Sequence, residues 1–309
     1  MDLFKLWLTT QEVGAKQVPL FAMKRVLAAR ASILSLGFLA AFCLRAGAQT
    51  ARPVESLENL TTDANDPTAI LAQLKIEEDY TPYEFGTQAE PNTIQIQPVI
   101  PIKPFSVMPL QQVVRPTFKV ITIPNGGGPS TNTQFDDTEF FDLFVSRWPE
   151  PRATGLRWGI GPYFVFPTAT TKSAGKGAWQ IGPAGAVTYR GIPGLLLGGL
   201  LQQGTSFAYT APDRKPVTQL TFQPFFVYQL GQGWYFRSRD ATWTFNLRHN
   251  TSTEIPLSAG IGKVWKFNED YAVNASLAGE WMLYRQFDSQ TEQFTLKFQV
   301  TLLLPNLEV

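Results

Sequence analysis

"AWQIGPAGAVTYRGIPG", residues 178–194, is the stretch whose reading decides the fold. Taken in twos, Trp179, Ile181, Pro183, Gly185, Val187 and Tyr189 share one face; Gln180, Gly182, Ala184, Ala186, Thr188 and Arg190 share the other. A period of two marks a strand, whose successive side chains point to opposite sides. Here the apolar face carries a ring at each end and the opposite face is small and polar. A strand lying on a soluble core has no need of terminal rings. A strand facing lipid does, because aromatic side chains settle at both membrane interfaces. At about 3.3 Å per residue, the ten steps from Trp179 to Tyr189 cover about 33 Å. Tilted by 40–45°, that projects to about 25 Å, the height of the apolar band of an outer-membrane barrel.

The same period recurs along the chain. "TIQIQPVIPIK" sets Ile94, Ile96, Ile100 and Ile102 against Thr93, Gln95, Gln97 and Lys103. "VRPTFKVIT" sets Val114, Phe118 and Val120 against Arg115, Thr117 and Lys119, and "VTQLTFQPFFVYQL" sets Leu220, Phe222, Phe226 and Tyr228 against Gln219, Thr221 and Gln223. "YAVNASLAGEWML" places Tyr271, Leu277 and Trp281 opposite Asn274, Ser276 and Glu280; "QFTLKFQVTLLLP" places Phe294, Phe298 and Val300 opposite Lys297 and Gln299. Most of these segments exceed the five or six residues usual in soluble sheets and meet the nine to eleven that a crossing strand needs.

About twelve strands result, near 71–81, 93–103, 112–123, 138–147, 156–168, 178–190, 194–208, 217–230, 233–247, 254–267, 271–284 and 293–305. An even number suits a closed antiparallel barrel, and closure matters because lipid offers no partner to an unpaired edge. From the sixth strand onward, short connections ("GIPG", "GQG", "NED") alternate with long ones ("TAPDRKP", "RHNTSTE", "RQFDSQTEQ"), the asymmetry of periplasmic turns and outer loops. Three places resist the pattern. "LLLGGLLQQG" has no polar face, so a buried helical segment stays open there. "WYFRSRDATWTF" changes phase between Arg237 and Ala241, which predicts a bulge or a strand end. Lys263 lies among Leu257, Ile261 and Trp265, where its stem can run along apolar surface to the band edge.

The fold expected is therefore all-β: a transmembrane antiparallel β-barrel of about twelve strands in the bacterial outer membrane, over residues 71–305, with a tail at 306–309. Residues 49–70 are polar with no clear period and read as an N-terminal linker. Residues 1–48 read as a signal peptide. "ASILSLGFLAAFCL" is too short for a helical span of about twenty residues. It follows Lys24, Arg25 and Arg30 and precedes the small-x-small site at Ala46–Ala48. Asp2 and Glu12 fit no part of such a signal, so Met23 is the better start.

The 309-residue chain is 17% charged and 13% aromatic, charge-poor against the usual quarter. Cleavage after Ala48 takes six of 26 basic and two of 25 acidic residues, leaving 20 against 23. That balance gives no electrostatic footprint for nucleic acid. It also removes Cys43, the only cysteine. His249, the only histidine, reads as a polar loop residue rather than the base of a rim-active hydrolase, since no G-x-S-x-G elbow accompanies it. No cofactor and no metal are expected.

Five blocks, "NTIQIQPVIPIKP", "WGIGPYFVFPTAT", "GKGAWQIGPAGAVTYRGIPG", "QLTFQPFFVYQLGQGWYFRS" and "IPLSAGIGKVWKF", resemble in order those of a bacterial family of outer-membrane transporters, the phenol-degradation MetA-pathway-like family, some members of which are mislabelled neuromedin U. The resemblance runs from about Asp66 to Pro305. It implies a channel for hydrophobic or aromatic compounds. Many such barrels close on a terminal aromatic, whereas this chain ends "PNLEV".

The candidate site is the lumen face, at Arg115, Lys119, Gln180, Gln219, Gln223, Asn274, Glu280, Lys297 and Gln299, and the candidate membrane girdle is Trp179, Tyr189, Tyr271 and Trp281. Twelve strands fall between filled eight-stranded barrels and open sixteen-stranded porins, so a wetted lumen and a plugged interior both stay open. The function expected is passive passage of small molecules. The alternatives are a non-conducting scaffold barrel and, behind it, the hydrolase at His249. The expected partners are outer-membrane lipid, a small solute, and a protein at the loops or periplasmic face.

Overall fold

The computed structural model describes residues 56–125, 128–147, 154–238, 241–248, 252–286 and 291–307. Residues 1–48, read as a signal peptide, His249, Asn250 and the last two residues lie outside the described residues. Alternating sequence becomes strand throughout: β1 (Ala72–Phe85), β2 (Asn92–Ile102), β3 (Gln111–Pro124), β4 (Thr131–Phe135), β5 (Thr138–Val145), β6 (Leu156–Phe166), β7 (Ala178–Ile192), β8 (Leu195–Tyr209), β9 (Thr218–Gly231), β10 (Trp234–Ser238), β11 (Trp243–Asn246), β12 (Thr253–Lys266), β13 (Ala272–Arg285) and β14 (Thr291–Leu304). Among the described residues one short helix, α1 (Leu57–Asp63), precedes them.

Sequential strands pair antiparallel, and β1 pairs with β14 from Ala72↔Leu304 to Phe85↔Thr291, so the sheet closes with no free edge. The fourteen strand segments form twelve staves. β4 and β5 together pair with β3, β4 beside its outer half and β5 beside its inner half. β10 and β11 together bridge β9 and β12. The break between β10 and β11 falls at the phase change after Arg237. β4 extends the fourth stave into a stretch expected to be loop.

Burial alternates along the staves, but with inverted chemistry. Trp179, Ile181, Val187 and Tyr189 of β7 are 42, 46, 47 and 40% exposed, while Gln180 and Thr188 are buried. Leu257, Ile261 and Trp265 of β12 and Leu277 and Trp281 of β13 are exposed in the same way, and Asn274 and Ser276 are buried. A surface of this kind is stable against hydrocarbon, not water. Rings pair along it, Phe166 with Trp179 edge to face at 5.7 Å and Trp281 with Phe294 at 5.2 Å. Lys263 lies on this outer face with its Nζ over the rings of Trp234 and Trp265, at 4.9 and 5.6 Å, so its charge is held by aromatic faces near the short-turn end.

Proline marks where the ladder skips. Pairing is interrupted, with the register kept, between Ile96/Phe118 and Ile100/Val114, between Phe141/Tyr163 and Phe144/Ile160, and between Ile181/Thr205 and Ala184/Gln202. Pro98 with Pro116, Pro162 and Pro183 fall in those gaps, each lacking the N–H a rung requires. The short turns have their own chemistry. Gly194 adopts φ +74° in "GIPG", and Gly233 adopts φ +78° where an added Cβ would lie 2.3 Å from the Val264 carbonyl oxygen. In "NED", Asn268 Oδ1 accepts from the backbone N–H groups of Asp270 and Tyr271.

Residues 56–70 depart from the expected linker. Ser56 caps α1 by accepting from Asn59 N at 3.1 Å, and Glu58 sits in the first turn, where the helix dipole favours an anion. Leu57, Leu60 and Ala64 share one helical face. Leu60 is fully buried in a cluster with Leu196, Val227, Tyr235, Val264, Ala272 and Leu303, drawn from six staves. All six lie on the inward face near the short turns, so the segment fills the lumen at that end. This also explains "LLLGGLLQQG", which is strand β8: Leu196 and Leu200 face inward yet are apolar because they meet packed side chains rather than water.

Candidate functional site, the barrel lumen

Above α1 the inward face is layered. Nearest the short turns is the apolar cluster around Leu60. The segment leaving α1 is fixed there by polar contacts. Arg190 of β7 donates through Nη2 to Asp63 Oδ1 and, at 2.7 Å, to Asp66 Oδ2. Asp66 Oδ1 accepts from the backbone N–H and hydroxyl of Thr68 at 2.8 and 2.7 Å. Arg237 of β10 donates to Asn65 Oδ1 at 2.5 Å, and Gln229 of β9 donates to the Glu58 carbonyl oxygen at 2.8 Å. Asp66 and Thr68 are almost fully buried, so these contacts operate in a low-dielectric interior, where each is stronger and its loss more costly.

The next layer is a small chamber of about 40 Å³, floored by Ala64–Pro67. One part of its wall is apolar, from Val99, Val113, Phe141, Leu200 and Phe225; the other is polar, from Gln73, Lys75, Arg115, Gln223 and Arg237. The Arg115 guanidinium lies 4.3 Å from the Phe141 ring centroid. Strand alternation explains the polar set, since Lys75, Arg115, Gln223 and Arg237 all occupy inward register positions.

Farther toward the long loops the lumen is crossed by ion pairs. Lys297 of β14 reaches Glu280 of β13 at 2.9 Å and Asp79 of β1 at 3.9 Å. Lys119 of β3 pairs with Glu139 of β5. Thr81 and Thr295 hydroxyls meet at 2.8 Å in this layer, while nearer the short turns Gln299 donates to Thr301 at 2.6 Å and Tyr235 donates to Asn274 Oδ1 at 2.7 Å.

The nine residues read as lumen-facing occupy inward positions but do not form one group. Arg115 and Gln223 line the chamber. Lys119, Glu280 and Lys297 belong to the ion-paired layer. Gln180, Asn274 and Gln299 are buried in the wall's polar lining, and Gln219 lies half-buried nearer the long loops. The four girdle residues stand outward, Tyr271 at 41% and Trp281 at 48% exposed. Sequence reasoning missed Lys75, Arg237 and the whole floor. The Ser56 cap with Leu57, Leu60 and Ala64 at helical spacing was the available signal, within a helix of seven residues too short to establish a period. Ala184 and Ala186, on the small face of β7, pack in a cluster with Tyr163 and Leu200. Among the described residues no group of three His, Cys, Asp or Glu is placed to hold a metal ion.

A closed twelve-stave antiparallel barrel with an apolar outer face and a polar, layered interior is a transmembrane β-barrel of the outer-membrane class. No protein-family model matches the chain. No curated protein matches it either. Among solved structures it is similar to the COG4313 outer-membrane channel from Pseudomonas putida F1, with TM-score 0.52 and 10% identity over 76% of this chain and 94% of that one. That likeness establishes the fold. Lower-scoring similarities reach the KdgM porin (TM-score 0.38, 8% identity, 74% of this chain and 97% of that one) and the Pseudomonas putida toluene transporter TodX (0.36, 10%, 80% and 93%).

Proposed function

We propose that this protein is a channel of the bacterial outer membrane, reaching it after signal cleavage near Ala48, and that it passes small apolar or aromatic molecules. The observation that carries this reading is the closed barrel wall around a partly apolar, partly polar interior, floored by a segment that is held by side-chain contacts rather than by the sheet's own ladder. Its floor, residues 56–70, is held by hydrogen bonds, ion pairs and apolar contact. A displaced floor opens the lumen to the short-turn side. The sequence blocks that resemble the MetA-pathway-like transporters, and the fold shared with an outer-membrane channel, support the same reading. The scaffold reading has one observation in its favour, the packing of Leu60 into the lumen. A rim-active hydrolase would rest on His249, outside the described residues.

The test locks the floor. Gln229 donates to the Thr62 hydroxyl, so Thr62→Cys with Gln229→Cys in a Cys43→Ser background places two thiols across that contact. Conductance in planar bilayers, and uptake of labelled apolar solutes by vesicles with a lipopolysaccharide outer leaflet, should be low when oxidised and recover on reduction. Equal flux in both states removes floor displacement from the reading. Absence of current and uptake in the wild-type and reduced proteins overturns the channel and leaves the scaffold.

A further inference from the structure

Among the described strands, few outward positions of the apolar band carry a charge. Glu78 of β1 accepts a hydrogen bond from Asn92 at 2.8 Å. Lys263 of β12 stands over the rings of Trp234 and Trp265. Asp142 of β5 has neither kind of contact. It pairs with Val114, and its neighbours Phe141 and Leu143 are buried in the interior cluster, so its side chain lies on the lipid side. By the kept register it falls opposite Pro162 and, one strand further, Pro183, which lies between Trp179 and Tyr189. Among the described residues, Asp142 Oδ1 is shielded from solvent and has no hydrogen-bond partner. An ionisable group facing hydrocarbon is costly, and by default it marks a functional contact.

A matching cation stands on the far side of the barrel. Asp142 belongs to the fourth stave and Lys263 to the tenth of twelve, half a turn apart. Lys263 pairs with Ala275, which lies between Tyr271 and Trp281, so both charges are inside the band. One chain cannot bring them together. Copies in one membrane share an orientation, so a contact from one face of a copy to the opposite face of the next repeats by translation.

The geometry points to a second copy of this chain as the partner of Asp142: barrels stand side by side, with Asp142 of one copy meeting Lys263 of the next. Opposite charges on opposite faces are the complementarity that a head-to-tail contact needs, and such a contact builds an open row. An ammonium resting on ring faces keeps N–H donors for a carboxylate. The four-carbon stem of lysine takes up the difference in height between the two positions. With water excluded by lipid, little competes with the pair. Around it the two faces meet through apolar side chains, Ile160 beside Asp142 and Ile261 beside Lys263, both exposed in the single barrel.

Barrels refolded into preformed phospholipid vesicles, with no other protein present, test this. Copies tagged with a donor dye and copies tagged with an acceptor should transfer energy above the level of a random dispersion at the same protein-to-lipid ratio. Asp142→Asn and Lys263→Gln should each lose that excess. Asp142→Lys and Lys263→Asp should each fail to associate alone, since like charges then meet. Mixed, they should associate, because alternating copies restore an opposite pair at every contact. Heat-modifiable migration on gels reports that each variant is folded. If the reversed variants do not fold, the two neutral variants decide the matter. Transfer at the random level in the wild type, or transfer unchanged in both neutral variants, overturns the inference. Loss in only one neutral variant overturns the pairing of these two residues. Association is read without flux, so the result stands apart from the passage of solutes.

Discussion

Arg190 Nη2 lies 2.7 Å from Asp66 Oδ2, and this ion pair joins the wall of the barrel to the segment that closes it. The Asp66 side chain is fully buried and that of Arg190 is 12% exposed. The same guanidinium also holds Asp63. Removing one partner from such a pair leaves the other charge buried and uncompensated, which costs about 3–5 kcal/mol.

Arg190→Gln should therefore loosen the floor while leaving the sheet intact. Single-channel recordings should show longer or more frequent open periods than the wild type, with β content by circular dichroism unchanged. Recordings identical to wild type would mean the apolar contacts around Leu60 hold the segment without the ion pair.

Leu60→Ala removes a fully buried side chain from the interior cluster, and large-to-small changes of this kind cost about 2–5 kcal/mol. The loss should be local. Amide exchange at residues 57–69 should quicken while β13 and β14 keep their protection. Equal acceleration across the strands would show the segment and the barrel to be one cooperative unit.

Lys297 sits between Glu280 and Asp79. Lys297→Met removes the cation facing Glu280 and should lower unfolding stability in urea by about 3–5 kcal/mol. Adding Glu280→Leu should recover part of that loss, because the pair is then replaced by apolar volume. A double variant as unstable as the single one would indicate that Asp79, not Glu280, sets the cost.

Leu201 pairs with Gly185, midway between Trp179 and Tyr189, and is 40% exposed on the outer face. Leu201→Arg should cost about 2–4 kcal/mol in reversible folding into lipid bilayers, the penalty of a basic side chain at the midplane. A cost near zero would place Leu201 away from hydrocarbon and contradict the girdle positions.

Strand identity, stave number and the direction of each face were legible in the sequence, because a side-chain period of two survives wherever one face meets lipid and the other meets polar groups. Trp179 and Tyr189 fixed the length scale, and Arg237 to Ala241 showed where the ninth stave breaks. The reading failed where that contrast disappears. In β8, Leu196 and Leu200 are inward and apolar, so alternation carries no information about which face is which. In residues 56–70, seven helical residues offer too few turns to display a period, and their role comes from contacts with Arg190, Gln229 and Arg237, more than a hundred residues away. The sequence by itself determined a closed barrel with its apolar side outward, since that depends on local alternation and chain length. Only the tertiary structure decided that the lumen is floored by the chain's own N-terminal segment and that Lys75, Arg115 and Arg237 surround one chamber. Those facts depend on which staves face each other across the interior, and local pattern does not encode that.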